Sequence, residues 1–298
     1  MVSTGRPESR FSGTVWIMGA LLAASIEPII VKFGFRGHLS PWHLFTLKSV
    51  FASLLSALVC LIWRFQFADI TAKPAQFKKL AVASFLLIGT NLFTMFALYY
   101  ISAVTVITVV TTTPALVAVL NQKLGRDQLD KLFWPGFWLS FLGVVLSIEI
   151  SQFMVQPLGL LLMFGAVVTS SIYRVQMESI TDEISPALAS AATMAVGAVF
   201  SLLFILPFNM NMPANAWSFG IWIGIAAGLA NIAFLYAINK VGATRISVIT
   251  MLQRPLLIVA AALLLKEPVT MPQVAGIILV IAGTQMARVK RLAKTNGQ

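Results

Sequence analysis

Apolar stretches of bilayer length follow one another along this chain with almost nothing charged inside them. An α-helix rises about 1.5 Å per residue, so about 20 apolar residues cross a hydrocarbon core. In lipid, only helices and closed barrels satisfy their own backbone groups. Ten runs can be drawn, over 13–34, 41–63, 80–100, 102–121, 132–150, 157–178, 186–208, 216–238, 243–265 and 271–289. The pattern predicts an all-α membrane protein of ten transmembrane helices. The connections are short, and the longest, 64–79, is basic and expected to lie on the membrane surface.

Charge sets the orientation. Hydrophobic residues make up 58 % of the chain and charged residues 10 %, with a mean hydropathy of +0.89. A soluble domain carries about 25 % charged residues. A net charge of +11 would suggest nucleic acid in a soluble protein. Here the basic residues sit in short segments between apolar runs, as cytoplasmic loops do, so the lipid bilayer is the expected partner and nucleic acid is not. With the N-terminus cytoplasmic, sixteen of the 21 Lys and Arg fall on that side, and Lys32, Arg36 and Lys266 fall opposite. Lys48 and Arg254 lie inside spans. The expectation is therefore a multi-pass protein of the cytoplasmic (inner) membrane, with both termini in the cytoplasm. Arg6 and Arg10 before an apolar run superficially resemble a signal peptide, but that run is too long and shows no small-residue cleavage site. Cys60 is the only cysteine, and His38 and His43 lie at the outer end of the second run, so no disulfide, metal or other cofactor is expected. Trp16, Trp42, Trp63, Trp134, Trp217 and Trp222 cluster near run ends, as interfacial belts do, and Trp138 lies a turn deeper.

The chain also repeats itself. Asn91 and Asn231, Ala97-Leu98 and Ala237-Ile238, Gly136 and Gly276, and Gly143 and Gly283 are each 140 residues apart. Pro114 and Pro255 are 141 apart, and Ser40-Pro41 and Ser185-Pro186 are 145 apart. The chain then divides into a cytoplasmic tail 1–12, a first five-helix repeat 13–150, a second 151–289 and a cytoplasmic tail 290–298. An odd number of helices per repeat makes the second half enter the membrane from the other side. Inverted repeats of this kind characterise secondary transporters, with substrate bound near the midplane between the halves.

Ala97-Leu98 to Ser102-Ala103, Pro114, Leu124-Gly125, Gly136 and Gly143 in the first half carry a resemblance to a known family. So do Ala237-Ile238, Val241-Gly242-Ala243, Pro255, Leu265-Lys266-Glu267-Pro268, Gly276 and Gly283 in the second. The chain resembles the drug/metabolite transporter superfamily, specifically its EamA-type members with two five-helix repeats. The leucine-any-glutamate ending of that family is kept at Leu265 to Glu267 and becomes Leu124-Gly125-Arg126-Asp127 in the first half. Lys48 occupies the place where the family often has an arginine. The resemblance implies an inner-membrane metabolite carrier that hydrolyses no ATP, with export as the expected direction.

Charges inside spans are the candidate site residues, because they are costly there unless paired or functional. Glu27, followed by Pro28, lies about 21 Å from the cytoplasmic face, and Lys48 lies about 10 Å from the outer face. In a core about 30 Å thick they share one level. They are read either as a structural ion pair or as a site in which Glu27 accepts a proton or holds a substrate amine. Proton coupling is the corresponding energy source. Arg254, beside Gln253 and Pro255, sits near the midplane and suits a carboxylate or phosphate on an anionic or zwitterionic substrate, or else a structural partner such as Glu27 or Glu149. Asn91 and Asn231 either bind substrate or hold helices together. Thr111, Thr112, Thr113 and Gln253 flank the paired prolines and are candidates to line the cavity, unless the threonine hydroxyls return hydrogen bonds to their own helix. Tyr173 is a cavity candidate, whereas Arg174 is expected to snorkel to the cytoplasmic surface. Pro28, Pro114 and Pro255 are expected helix kinks. Gly220, Gly224 and Gly228 make a face for close helix packing, inside the monomer first and in a homodimer as the alternative.

No phosphate-cradling loop, nucleophile elbow or His-Glu-x-x-His motif is present, which argues against an ATPase or hydrolase. The favoured function is a secondary active transporter that moves a small organic metabolite by alternating access. An amino acid, another zwitterionic or anionic compound, or a drug-like molecule would serve as cargo. The alternatives are a channel, which would want a continuous polar lining, and a non-transporting scaffold or receptor, which gives no reason for paired central Asn and Pro.

Overall fold

The computed structural model describes residues 10–62, 74–146, 156–204, 212–253, 255–256, 270–287 and 289–291. The chain runs α1 (Arg10–Arg36), α2 (Pro41–Ile62), α3 (Pro74–Tyr100), α4 (Ala103–Val110), α5 (Thr113–Lys123) and β1 (Asp127–Leu129). It continues through α6 (Phe133–Leu146), α7 (Pro157–Thr181), α8 (Pro186–Phe204), α9 (Ala214–Val241), α10 (Ala243–Ile249), a 3-10 turn (Thr250–Leu252), α11 (Met271–Met286) and β2 (Val289–Arg291). Among the described residues, six helices are long and apolar enough to cross a membrane, and three further apolar helices are shorter. Large apolar side chains such as Leu61, Leu161, Phe85 and Trp222 face outward, as a lipid environment requires. This is a multi-pass helical membrane protein.

The structure departs from the sequence expectations in three main features and in two smaller ones. The fourth and ninth runs are not continuous helices. Between α4 and α5 the backbone closes i to i+3 bonds, Thr111 N–H to Thr108 O at 3.2 Å and Thr112 N–H to Val109 O at 3.1 Å. The Thr112 hydroxyl also bonds Val109 O, at 2.7 Å. Pro114 has no N–H to return to Val110, so it opens a new helix at its first turn instead of bending an existing one. In the corresponding place α10 tightens into the 3-10 turn just ahead of Pro255. Third, the fold is not wholly helical. β1 and β2 pair antiparallel with Asp127 opposite Arg291, so part of the expected C-terminal tail is a strand that ties the chain end to the first half. The third helix also begins at Pro74, earlier than the expected 80. Pro28 lies within an unbroken α1.

Glycines set the closest helix contacts. A Cβ on Gly220, Gly224 or Gly228 of α9 would strike Leu47, Phe51 or Leu55 of α2, so this face is spent inside the monomer. Gly242, at φ 88°, ends α9 and lets the chain turn directly into α10. α1 also packs along α9, and α3 along α7.

Candidate functional site

α1, α2, α3, α7, α8 and α9 line an open cavity of about 180 Å³. Alanines make room for it: Ala20 and Ala24 on α1, and Ala227 and Ala230 on α9. Its polar groups come from both halves, with Glu27, Lys48, Thr90 and Asn91 facing Ser170, Tyr173, Arg174 and Asn231. Five of the candidate residues read from the sequence (Glu27, Lys48, Asn91, Tyr173 and Asn231) therefore converge on one space.

Lys48 is the hub of the first group. Its ammonium donates to Glu27 Oε1 across α1 and α2, and to Asn91 Oδ1 on α3 at 2.7 Å. Both line the cavity, and the Lys48 side chain, 7 % exposed, is the more deeply buried of the two, against 22 % for Glu27. Three helices are held by one cation whose charge is cancelled locally, which removes most of the cost of its burial.

The second group is a chain of neutral bonds. The Tyr173 hydroxyl donates to Asn231 Oδ1 at 3.2 Å, and Asn231 Nδ2 donates to Ser190 Oγ at 2.8 Å, joining α7, α9 and α8. Thr90 and Thr169 place their hydroxyls 2.8 Å apart where α3 crosses α7. Beyond Tyr173, Arg174 does not snorkel to the surface, which corrects the sequence expectation. Its Nη1 donates to Ser247 Oγ on α10 at 3.0 Å, and its guanidinium lies 4.7 Å from the centre of the Phe234 ring. Tyr173 and Arg174 follow Ser170-Ser171 with only Ile172 between, and that local polar density was the signal available in the sequence.

The remaining candidates lie elsewhere. Gln253 donates from Nε2 to Ala24 O at 2.9 Å, tying the break before Pro255 to α1 behind the cavity wall. Thr112 returns its hydroxyl to its own helix, Thr113 is buried, and neither lines the cavity. Arg254 and Glu149 lie outside the described residues, as do Trp63 and the Leu265 to Pro268 ending. No cluster of three or more metal-ligating side chains occurs among the described residues.

A buried polar cluster that sequence reasoning did not single out closes the end of the molecule where α5, β1, α7 and α10 meet. Asn121 Nδ2 lies 2.8 Å from Glu178 Oε2, 3.1 Å from Thr244 Oγ1 and 3.2 Å from Asp127 Oδ2. The Thr244 hydroxyl donates in turn to Asp127. All four residues are buried. Beside them Arg126 donates to Val175 O at 2.8 Å. The only hint in the sequence was the polar Arg126-Asp127 where an aliphatic-glutamate ending was expected.

Known proteins fit this arrangement. The EamA-like transporter family matches residues 11–148 and again 157–288. An uncharacterized transporter of Bacillus subtilis (strain 168), YyaM, is 26 % identical over 241 residues, 75 % of this chain and 79 % of that protein. An uncharacterized transporter of Archaeoglobus fulgidus is 24 % identical over 285 residues, 93 % of this chain and 99 % of that one. A crystal structure described only as that of a protein superposes with a TM-score of 0.74 at 18 % identity, over 94 % of this chain and 97 % of its own. That last likeness concerns the fold alone. With the family matched across nearly the whole chain in two successive halves, the protein belongs to the EamA-like transporter family, within the drug/metabolite transporter superfamily.

Proposed function

We propose that this membrane transporter is a secondary active carrier for a small organic metabolite, working by alternating access. The observation that carries this reading is the cavity: a small, mostly apolar space between helices of both halves, set with charged groups that a packed core would exclude. The breaks at Thr111-Thr112 and at 250–252 support it, since discontinuous helices free backbone groups and allow one bundle to rock against the other. Ten spans in two inverted five-helix repeats, 13–150 and 151–289, account for the matched prolines and asparagines. Both termini then lie in the cytoplasm, and export across the cytoplasmic membrane is the direction that family analogy favours. The match to a transporter family supports reading the protein as a carrier and not an enzyme.

Saturable, substrate-dependent flux in proteoliposomes is the deciding measurement. A channel would give flux that does not saturate, and a scaffold none. The orientation is checked by reporter fusions: alkaline phosphatase should be active when fused after Gly37 and inactive at the C-terminus.

A further inference from the structure

The cavity carries its charge asymmetrically. At one side Lys48 is cancelled by Glu27 and further held by Asn91. Arg174 also lines the cavity, and among the described residues no carboxylate pairs with it. Its neighbours are neutral: the Ser247 hydroxyl at 3.0 Å and the Phe234 ring at 4.7 Å. A guanidinium is costly at membrane depth and normally finds a counter-charge. Here the ring supports one face and the hydroxyl engages one N–H. Among the described residues no other side chain hydrogen-bonds the planar fork, and that fork matches carboxylate and phosphate oxygens. The charged residues lining the cavity, Glu27, Lys48 and Arg174, leave one positive charge uncompensated.

We infer that Arg174 is the anchor for an anionic group, a carboxylate or a phosphate monoester, on the carried solute. The inference rests on the carrier reading and names the class of its cargo. Lys48 is unsuited to that part because Glu27 already neutralises it. Ser247 gives the anchor a second consequence. It belongs to α10, just ahead of the break at 250–252, so an anion that draws on the guanidinium acts directly on the segment beside the break.

The test uses the full-length protein in detergent and matched solutes that differ in their anionic group: benzoate and benzamide, leucine and leucinamide, glycerol phosphate and glycerol. At least one anionic member is expected to raise the thermal unfolding midpoint saturably while its partner does not. Arg174→Gln should weaken that solute on the order of 10- to 100-fold, the usual worth of a hydrogen bond to a charged group. Ser247→Ala, a smaller change, should weaken it in the same direction and decides the matter if Arg174→Gln does not fold. The inference is overturned if no anion raises the midpoint, if the partner solute binds as tightly as its anion, or if the variants keep full affinity. Flux of the same solutes is read separately. Saturable flux of neutral solutes alone keeps the carrier and removes the anchor. Anion binding without any flux keeps the anchor and removes the carrier.

Discussion

Gly136 of α6 and Gly283 of α11 meet backbone to backbone: a Cβ placed on Gly136 would stand 2.6 Å from the Gly283 carbonyl oxygen. Gly143 stands in the same relation to Gly276, at 2.7 Å. The sequence repeat pairs Gly136 with Gly276 and Gly143 with Gly283, so each glycine packs against the repeat-mate of the other. That exchange is what a twofold relation between α6 and α11 produces. It also explains why both glycines of each helix are needed.

Gly136→Ala and Gly283→Ala should each destabilise by about 1–3 kcal/mol, because the new methyl group meets backbone that cannot move aside. Gly19→Ala is the control, since the nearest atom to its Cβ lies 3.9 Å away. Thermal unfolding of the purified protein reads the difference.

Glu27→Gln strands the Lys48 ammonium. Loss of one member of such a pair costs up to about 3 kcal/mol, and lower yield and midpoint are expected. The double change Glu27→Gln with Lys48→Met should restore most of the stability, because it removes the buried charge along with its partner. A well-folded single mutant that loses only pH-driven transport would assign Glu27 to proton relay instead.

Asn121→Ala takes a shared donor away from two buried carboxylates. About 1–3 kcal/mol of stability should be lost. The closed end should also loosen. In a Cys60→Ala background, a thiol at Ser170→Cys should react faster with an impermeant reagent added on the side of the membrane that this cluster faces when Asn121 is replaced. Unchanged labelling would show that the cluster does not govern access.

Asn231→Ala breaks two interhelical bonds at once, to Tyr173 and to Ser190. Bonds of this kind in membranes contribute about 0.6 kcal/mol each and rarely reach 2. A loss of about 1 kcal/mol is expected from Asn231→Ala and less from Ser190→Ala, both read as shifts of the thermal midpoint.

The sequence alone determined that this chain lives in a membrane, because helix rise and bilayer thickness leave long apolar runs no other use. It also marked the two runs that are interrupted, although as kinks in continuous helices. Pro114 and Pro255 lack the N–H that a continuous helix needs, and their spacing marked them as equivalents. The Glu27–Lys48 pair was legible too, since two opposite charges at one depth in hydrocarbon have few alternatives. What it could not decide was which way each helix turns. A helix that is apolar on every side carries no periodic signal for its inward face, so Arg174 read as a snorkelling residue until packing against α9 and α10 turned it into the cavity. For the same reason Asn121, Asp127, Glu178 and Thr244 stayed separate until four segments brought them together. The β1–β2 pairing joins residues from opposite ends of the chain, and only the tertiary fold brings those ends within hydrogen-bonding reach.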